Sequence, residues 1–148
     1  HLVFGTLHTT GAAKTIDRLV DAFPVTQQNQ IRVQLSTALI SVLSQVLMRR
    51  VDTKGMVAAY EFLVITPAIA NLIRDNKSFR IDSAIQTGKR YGMQLLDDHL
   101  WSLYSKGMIS AEDMIDKGKN QGALRQKVLS SGGQLARPEL DDESAAES

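Results

Sequence analysis

The sequence predicts a globular α/β domain, and three patterns carry that prediction. Residues 2–7 form a short apolar, partly β-branched run, and the turn-forming Thr9, Thr10 and Gly11 follow it. This order is typical of a buried strand that ends near His8 and leads into a helix. Two apolar runs flank turn residues at 52–55, which predicts a β-hairpin. Most other apolar residues recur every three or four positions, as in amphipathic helices.

Two helices are predicted before the hairpin. The first covers residues 12–22 and stops near Pro24, because proline breaks the helical hydrogen-bond pattern. The second begins at about Thr26 or Gln27. Its apolar stripe comprises Ile31, Leu35, Ala38, Leu39 and Val42. The strands of the hairpin are placed at about residues 42–48 and 57–65, without a defined register.

The helices predicted after the hairpin are short, and each has a recognisable end. Thr66 is a good N-cap and Pro67 suits the first helical position, so a helix begins there. A second helix ends at Gly88 and a third is closed by Gly107. Ser110 has capping-box spacing and predicts a small further helix. Beyond Lys119 the chain lacks apolar periodicity, so residues 119–148 are expected to form a disordered acidic tail.

Composition excludes several classes of protein. The formal net charge is +1, but residues 137–148 hold five acids and one arginine, which leaves the rest of the chain mildly basic. Those basic residues are scattered, so we expect no nucleic-acid partner. The chain has no cysteine, and its apolar runs fall short of a membrane span. It also starts without a methionine or a basic targeting region, so we expect an internal part of a longer protein.

Two polar residues are candidates for chemistry on the residues alone. His8 lies at the end of a predicted buried strand, where ligands bind in α/β sheets, although a hydrogen-bonded structural histidine would give the same pattern. Glu61 lies in an apolar strand and needs a partner, and a structural ion pair is a better interpretation than a catalytic base. His1 and His8 are predicted on opposite faces of a strand and His99 is remote, so no metal site is expected.

A phosphate-binding loop of the form G-x-x-x-x-G-K-S/T is absent from the 148 residues. In that motif the backbone N–H groups and the lysine cradle the phosphates of a nucleotide. The residues alone therefore indicate an α/β or α+β domain with a candidate crevice at His8.

Five segments resemble the type IV pilus retraction ATPases, a twitching-motility branch of the type II/IV secretion ATPase superfamily. Residues 1–18 (HLVFGTLHTTGAAKTIDR) are similar to the family's His box, and residues 55–61 (GMVAAYE) resemble its G-x-V-A-A-F/Y-E strand. Residues 68–75 (AIANLIRD) resemble the retraction signature A-I-R-N-L-I-R-E, with Ala70 and Asp75 replacing its first arginine and its glutamate. Residues 81–88 and 91–94 extend the similarity, which covers about residues 1–117.

The resemblance implies a division into three parts. Residues 1–65 would be the C-terminal portion of a RecA-like P-loop ATPase core, with buried strands and the hairpin. Residues 66–118 would be a helical C-terminal subdomain that contains the A-I-x-N-L-I-R segment, and residues 119–148 would be the disordered tail. The family's P-loop, Asp box and Walker B segment are not in this sequence.

The resemblance also implies a function. The family forms hexameric rings that hydrolyse ATP with Mg²⁺ and drive pilus retraction from the cytoplasmic side of the inner membrane, where they meet the pilus platform machinery. His8 would lie near the terminal phosphate as a catalytic residue, with Thr9, Thr10 and Arg18 as nucleotide-binding neighbours. A coupling role towards the pilus machinery falls on the helix that contains Asn71, Leu72, Ile73 and Arg74. Without a P-loop, the 148 residues alone are expected to be inactive.

Two alternatives stay open. A pilus-assembly or type II secretion ATPase would share the His box, but the A-I-x-N-L-I-R segment favours retraction. A non-enzymatic interaction fragment would equally lack the P-loop.

Overall fold

The computed structural model describes residues 1–135, and in that range it contains seven α-helices and one antiparallel pair of strands. Among these residues, no helix combines the length and the apolar character that crossing a membrane requires. The elements, in chain order, are α1 (Ala12–Asp21), α2 (Val25–Ala38), β1 (Ser41–Arg49), β2 (Met56–Val64), α3 (Pro67–Arg74), α4 (Ile81–Thr87), α5 (Leu96–Ser105), α6 (Ala111–Lys117) and α7 (Gln121–Ser130).

The β-hairpin lies at the centre of the fold and confirms the prediction. Ser41 in β1 lies opposite Val64 in β2, and Arg49 lies opposite Met56. Side chains alternate between the two faces of the sheet, so every second position is buried, as expected when one face is covered. The buried positions are Val42, Ser44, Met48, Ala59, Glu61 and Leu63.

Two hydrophobic clusters cover different ends of this buried face. At one end, Val42 and Leu63 pack with residues of α1, α3 and α4. At the other end, Met48 and Ala59 pack with residues of α5, α6 and α7. The hairpin therefore holds both sets of helices, and α3 and α4 share a core with α1. The division at residues 65 and 66 stays a prediction.

The predicted helix ends are confirmed by their hydrogen bonds. The Thr66 hydroxyl accepts from the backbone N–H of Ile69 at 3.4 Å, and the Ser110 hydroxyl accepts from the N–H of Asp113 at 3.1 Å. Gly107 follows α5 with a φ of +70°, a conformation that favours glycine. The helix α2 begins at Val25, slightly before the predicted start, because Pro24 is its N-cap residue.

The strand predicted for residues 2–7 is not formed. Residues 1–9 have no regular secondary structure, and Val3 and Phe4 are 80% and 88% exposed. A strand is stable when a neighbour pairs with its backbone and another layer covers its side chains. In residues 1–135 the sheet contains β1 and β2 alone, so this segment has neither.

The prediction of disorder beyond Lys119 is wrong for residues 121–130, which form α7. Leu124 and Val128 are one helical turn apart, and both are buried against the cluster formed with α5 and α6. The Asn120 side chain caps the helix by accepting from the N–H of Ala123 at 3.1 Å. The acidic residues of the predicted tail lie in residues 136–148, outside the described residues.

Candidate functional site

The segment with the candidate catalytic residue is exposed. The His8 side chain makes no hydrogen bond or ion pair within residues 1–135, and Thr10 is exposed beside it. The hydroxyl of Thr9 is held against the Thr15 hydroxyl of α1 at 2.7 Å. Arg18 lies on the exposed side of α1, and no described contact brings it to His8. The structure therefore anchors Thr9 but does not gather the four predicted nucleotide-site residues around one point.

The turn that joins this segment to α1 is fixed by side chains of the hairpin and of α1. Gly11 has a φ of +98°, and its N–H donates to the Ser44 hydroxyl at 2.9 Å. The Ser44 hydroxyl in turn donates to the carbonyl of Thr9 at 3.3 Å. The Thr15 hydroxyl donates to the Gly11 carbonyl at 2.9 Å. The path of the chain from His8 into α1 is thus held by Ser44 of β1 and Thr15 of α1.

Glu61 is the most buried charged residue in the described part of the chain, with no exposed surface. One carboxylate oxygen accepts from the N–H of Ala12 at 2.7 Å, and the other accepts from the N–H of Leu96 at 3.1 Å. Both carboxylate oxygens also accept from the Lys119 ammonium, at 3.2 and 3.0 Å. The prediction of a structural ion pair for Glu61 is therefore confirmed.

Lys119 and Asp82 complete this site, and sequence reasoning missed both. The Lys119 ammonium lies 2.9 Å from each carboxylate oxygen of Asp82 in α4. Burial alone would lower the pKa of Lys119, but the hydrogen bonds from its ammonium to Asp82 and Glu61 outweigh that effect and raise the pKa. A buried glutamate signals that a cation is needed, yet 17 lysines and arginines were available and nothing in the sequence selected Lys119.

The helix predicted to couple nucleotide state to the pilus machinery is α3. Ile73 is buried and Leu72 is partly buried, whereas Asn71 and Arg74 are exposed and hydrogen-bonded to each other. A groove of about 360 Å³ lies beside the start of α3. Its lining includes Pro67, Ile69, Ala84, Gly88, Tyr91 and Met93. The polar side of α3 is therefore open to a partner, and its apolar side is used for packing.

His99 has a structural place away from His8. Its Nδ1 atom accepts from the backbone N–H of Tyr60 at 3.1 Å, which requires that nitrogen to be unprotonated. Burial lowers the pKa of His99. Residues 1–135 contain no group of three histidine, aspartate or glutamate side chains arranged to bind a metal ion.

The residues of this chain do not fit a complete nucleotide site. Triphosphate binding depends on a loop whose successive N–H groups surround the phosphates, and the sequence lacks that loop. The described segment around His8 offers side-chain donors on an exposed stretch of chain without regular secondary structure. These residues can form at most one side of such a site.

Comparison with known proteins identifies relatives for most of the chain, although no protein-family model matches it. The twitching motility protein of Neisseria gonorrhoeae is 48% identical over 124 residues, which cover 84% of this chain and 33% of that protein. The type IV pilus retraction ATPase PilT of Pseudomonas aeruginosa is 54% identical over 119 residues, which cover 80% of this chain and 34% of that protein. The chain spans about a third of the length of these relatives.

A solved structure of the pilus retraction motor PilT with bound ADP has the same fold over the matched region. Its TM-score is 0.75 at 40% identity, and the match covers 85% of this chain and 35% of that one. The relatives and the solved structure agree with the resemblance found in the His box and in the A-I-x-N-L-I-R segment. Over the region that these matches cover, the chain belongs to the family of the twitching-motility and pilus retraction ATPases.

Proposed function

We propose that this chain is part of a hexameric motor ATPase that hydrolyses ATP with Mg²⁺ and drives type IV pilus retraction and twitching motility. The observation that carries the proposal is the 54% identity to a pilus retraction ATPase over 80% of the chain. The bound ADP in the related retraction motor supports nucleotide binding in the family. The motor would work in the cytoplasm, at the inner-membrane base of the pilus, against the platform machinery.

In this proposal His8 supplies a hydrogen-bond donor to the nucleotide site, and the phosphate-binding loop comes from outside these 148 residues. Within residues 1–135 the exposed imidazole of His8 has no hydrogen-bond partner, so it is free to meet a ligand or a neighbouring subunit. Thr9, Thr10 and Arg18 remain proposed neighbours of that site. Thr9 and its hydrogen bond to Thr15 would fix the backbone next to His8.

The first test compares two proteins. The 148-residue chain should show no Mg²⁺-dependent phosphate release above background, because it lacks the loop that binds the triphosphate. The complete gene product should contain G-x-x-x-x-G-K-S/T before His1, hydrolyse ATP and assemble as a hexamer. Phosphate release, calorimetric titration with ATP and Mg²⁺, and light scattering are the measurements. Micromolar ATP binding or clear turnover by the 148-residue chain would contradict the proposal, and so would a gene product without that motif.

A coupling role is proposed for α3 through Asn71, Leu72, Ile73 and Arg74. Arg74→Ala in the complete gene product should reduce pilus retraction by about tenfold, the effect of losing one charged hydrogen bond. ATP hydrolysis should change by less than about twofold, because the arginine is exposed and the packing of α3 depends on its apolar side. Lys77→Ala, in the exposed turn after α3, is the matched control. Unchanged retraction in cells that carry Arg74→Ala would exclude this role.

A further inference from the structure

Lys119 lies at a junction of four elements. It belongs to the short connection between α6 and α7, and its ammonium bonds to Glu61 of β2 and Asp82 of α4. Its own backbone N–H donates to the Asp97 carboxylate of α5 at 2.7 Å, and the next N–H donates to the same carboxylate at 2.9 Å. The lysine is therefore fixed at both its main chain and its side chain.

The carboxylate that Lys119 neutralises acts as a cap for two helices. The first N–H groups of a helix have no partner within the helix, and neither α1 nor α5 has a capping side chain next to it in sequence. Glu61 accepts from Ala12 at the start of α1 and from Leu96 at the start of α5. The positive ends of both helices favour a negative charge at this point.

The Lys119 side chain is also in direct contact with the turn that follows His8. A Cβ atom on Gly11 would lie 3.1 Å from Cε of Lys119, so the lysine side chain packs against the glycine backbone. The same turn is held by the bonds of Gly11 to Ser44 and of Ala12 to Glu61. If the ammonium moved, Gly11 and Ala12 would lose contacts directly, whereas residues of the hydrophobic core would be affected only indirectly.

We infer that Lys119 is a positioning residue, which joins Glu61 to Asp82 and so fixes the turn at Gly11 and Ala12 that carries His8. This inference rests on the proposed function, because the position of His8 matters only if His8 serves the nucleotide site. The same ammonium links that turn to α4, which packs with α3 in one hydrophobic cluster. Lys119 thus connects the proposed site of hydrolysis to the helices beside the proposed coupling surface.

The first experiment measures amide hydrogen exchange in the 148-residue chain. In the wild type the amides of Ala12 and Leu96 should be protected, which is unusual for the first turn of a helix. Lys119→Met should speed exchange at Gly11 and Ala12 by about tenfold or more relative to the core amide of Leu103, because local opening requires fewer contacts to break. Lys117→Met is the control, since that lysine is exposed and pairs with the adjacent Asp116.

Uniformly faster exchange throughout the chain, or no change at Gly11 and Ala12, would overturn the inference. If Lys119→Met does not fold, Asp82→Asn decides, because it keeps the pair between Lys119 and the buried Glu61. Asp82 is partly exposed. Asp82→Asn should speed exchange at the amides of Gly11 and Ala12 by about threefold. Unchanged exchange at Gly11 and Ala12 in the Asp82→Asn variant would also overturn the inference.

The second experiment uses the complete gene product and separates positioning from substrate binding. Lys119→Met should lower kcat by about tenfold while KM for ATP changes by less than about twofold, as expected when only transition-state geometry suffers. Lys119→Arg keeps the charge and should recover most of kcat. An unchanged kcat in Lys119→Met would overturn the inference. A wild-type gene product without ATPase activity would instead overturn the proposed function, and amide exchange would still decide whether Lys119 holds the turn.

Discussion

Replacing Glu61 with leucine should lower the free energy of unfolding of this chain by about 4 kcal/mol. Leucine fills a similar volume, so the effect comes from lost hydrogen bonds rather than from a cavity. The backbone N–H groups of Ala12 and Leu96 would remain buried without an acceptor, and each such group costs about 1–3 kcal/mol. Lys119 would keep its hydrogen bonds to Asp82 and some exposure to water, so its charge would not become buried and unpaired.

Urea-induced unfolding, followed by the fluorescence of Trp101, measures this effect, since Trp101 is the single tryptophan of the chain. Glu61→Gln keeps one acceptor oxygen and the shape of the side chain, so we expect a loss of about 2 kcal/mol. Asp98→Asn is the control. Asp98 is likewise a carboxylate at the start of α5, but it belongs to the first turn of that helix and is exposed. It should cost no more than about 0.5 kcal/mol. A Glu61→Leu variant as stable as the wild type would show that both helix ends find other acceptors.

Elements with strong local signals were predicted well. The turn residues at 52–55 define the hairpin, and Thr66 with Pro67 defines the start of α3. These signals are local because the hydrogen bonds of a turn or a cap join residues that are close in sequence. The structure adds the register of the strands, which depends on which face of the hairpin the helices cover.

Two predictions were wrong because they depended on distant contacts. Apolar content at residues 2–7 predicted a buried strand, but burial requires a neighbouring strand and a covering layer, which residues 1–135 do not supply. In α7, only four of ten residues are apolar (Ala123, Leu124, Val128 and Leu129), which gave too weak a periodicity to predict a helix. The helix is nevertheless stabilised because Leu124 and Val128 enter a core made by α5 and α6.

The candidate site also depends on contacts between residues that are distant in the sequence. The sequence singled out His8 and the need of Glu61 for a partner, because each is a polar residue in an apolar run. Lys119 and Asp82 are 58 and 21 residues away from Glu61 in the sequence, and only the fold brings them together. The roles of His8, Arg18 and α3 remain proposals that depend on the family resemblance.

In the complete gene product, His8→Ala should lower kcat for ATP hydrolysis by about 10²–10³-fold. This is the effect expected when one preorganised donor to developing negative charge is removed. The substitution should leave the fold intact, because the His8 side chain is exposed and bonds to nothing in residues 1–135. Loss of turnover would then report on the site rather than on stability.

Steady-state phosphate release and light scattering, measured on the same samples, distinguish a chemical role of His8 from a role in assembly. Lys54→Ala is the control, since Lys54 is an exposed residue of the hairpin turn and lies outside the segments that resemble the family. It should retain full turnover. If His8→Ala forms hexamers with near-normal turnover, His8 does not serve the nucleotide site. If turnover and assembly are lost together, His8 lies at a contact between subunits, and its exposed position in the single chain is explained by that contact instead.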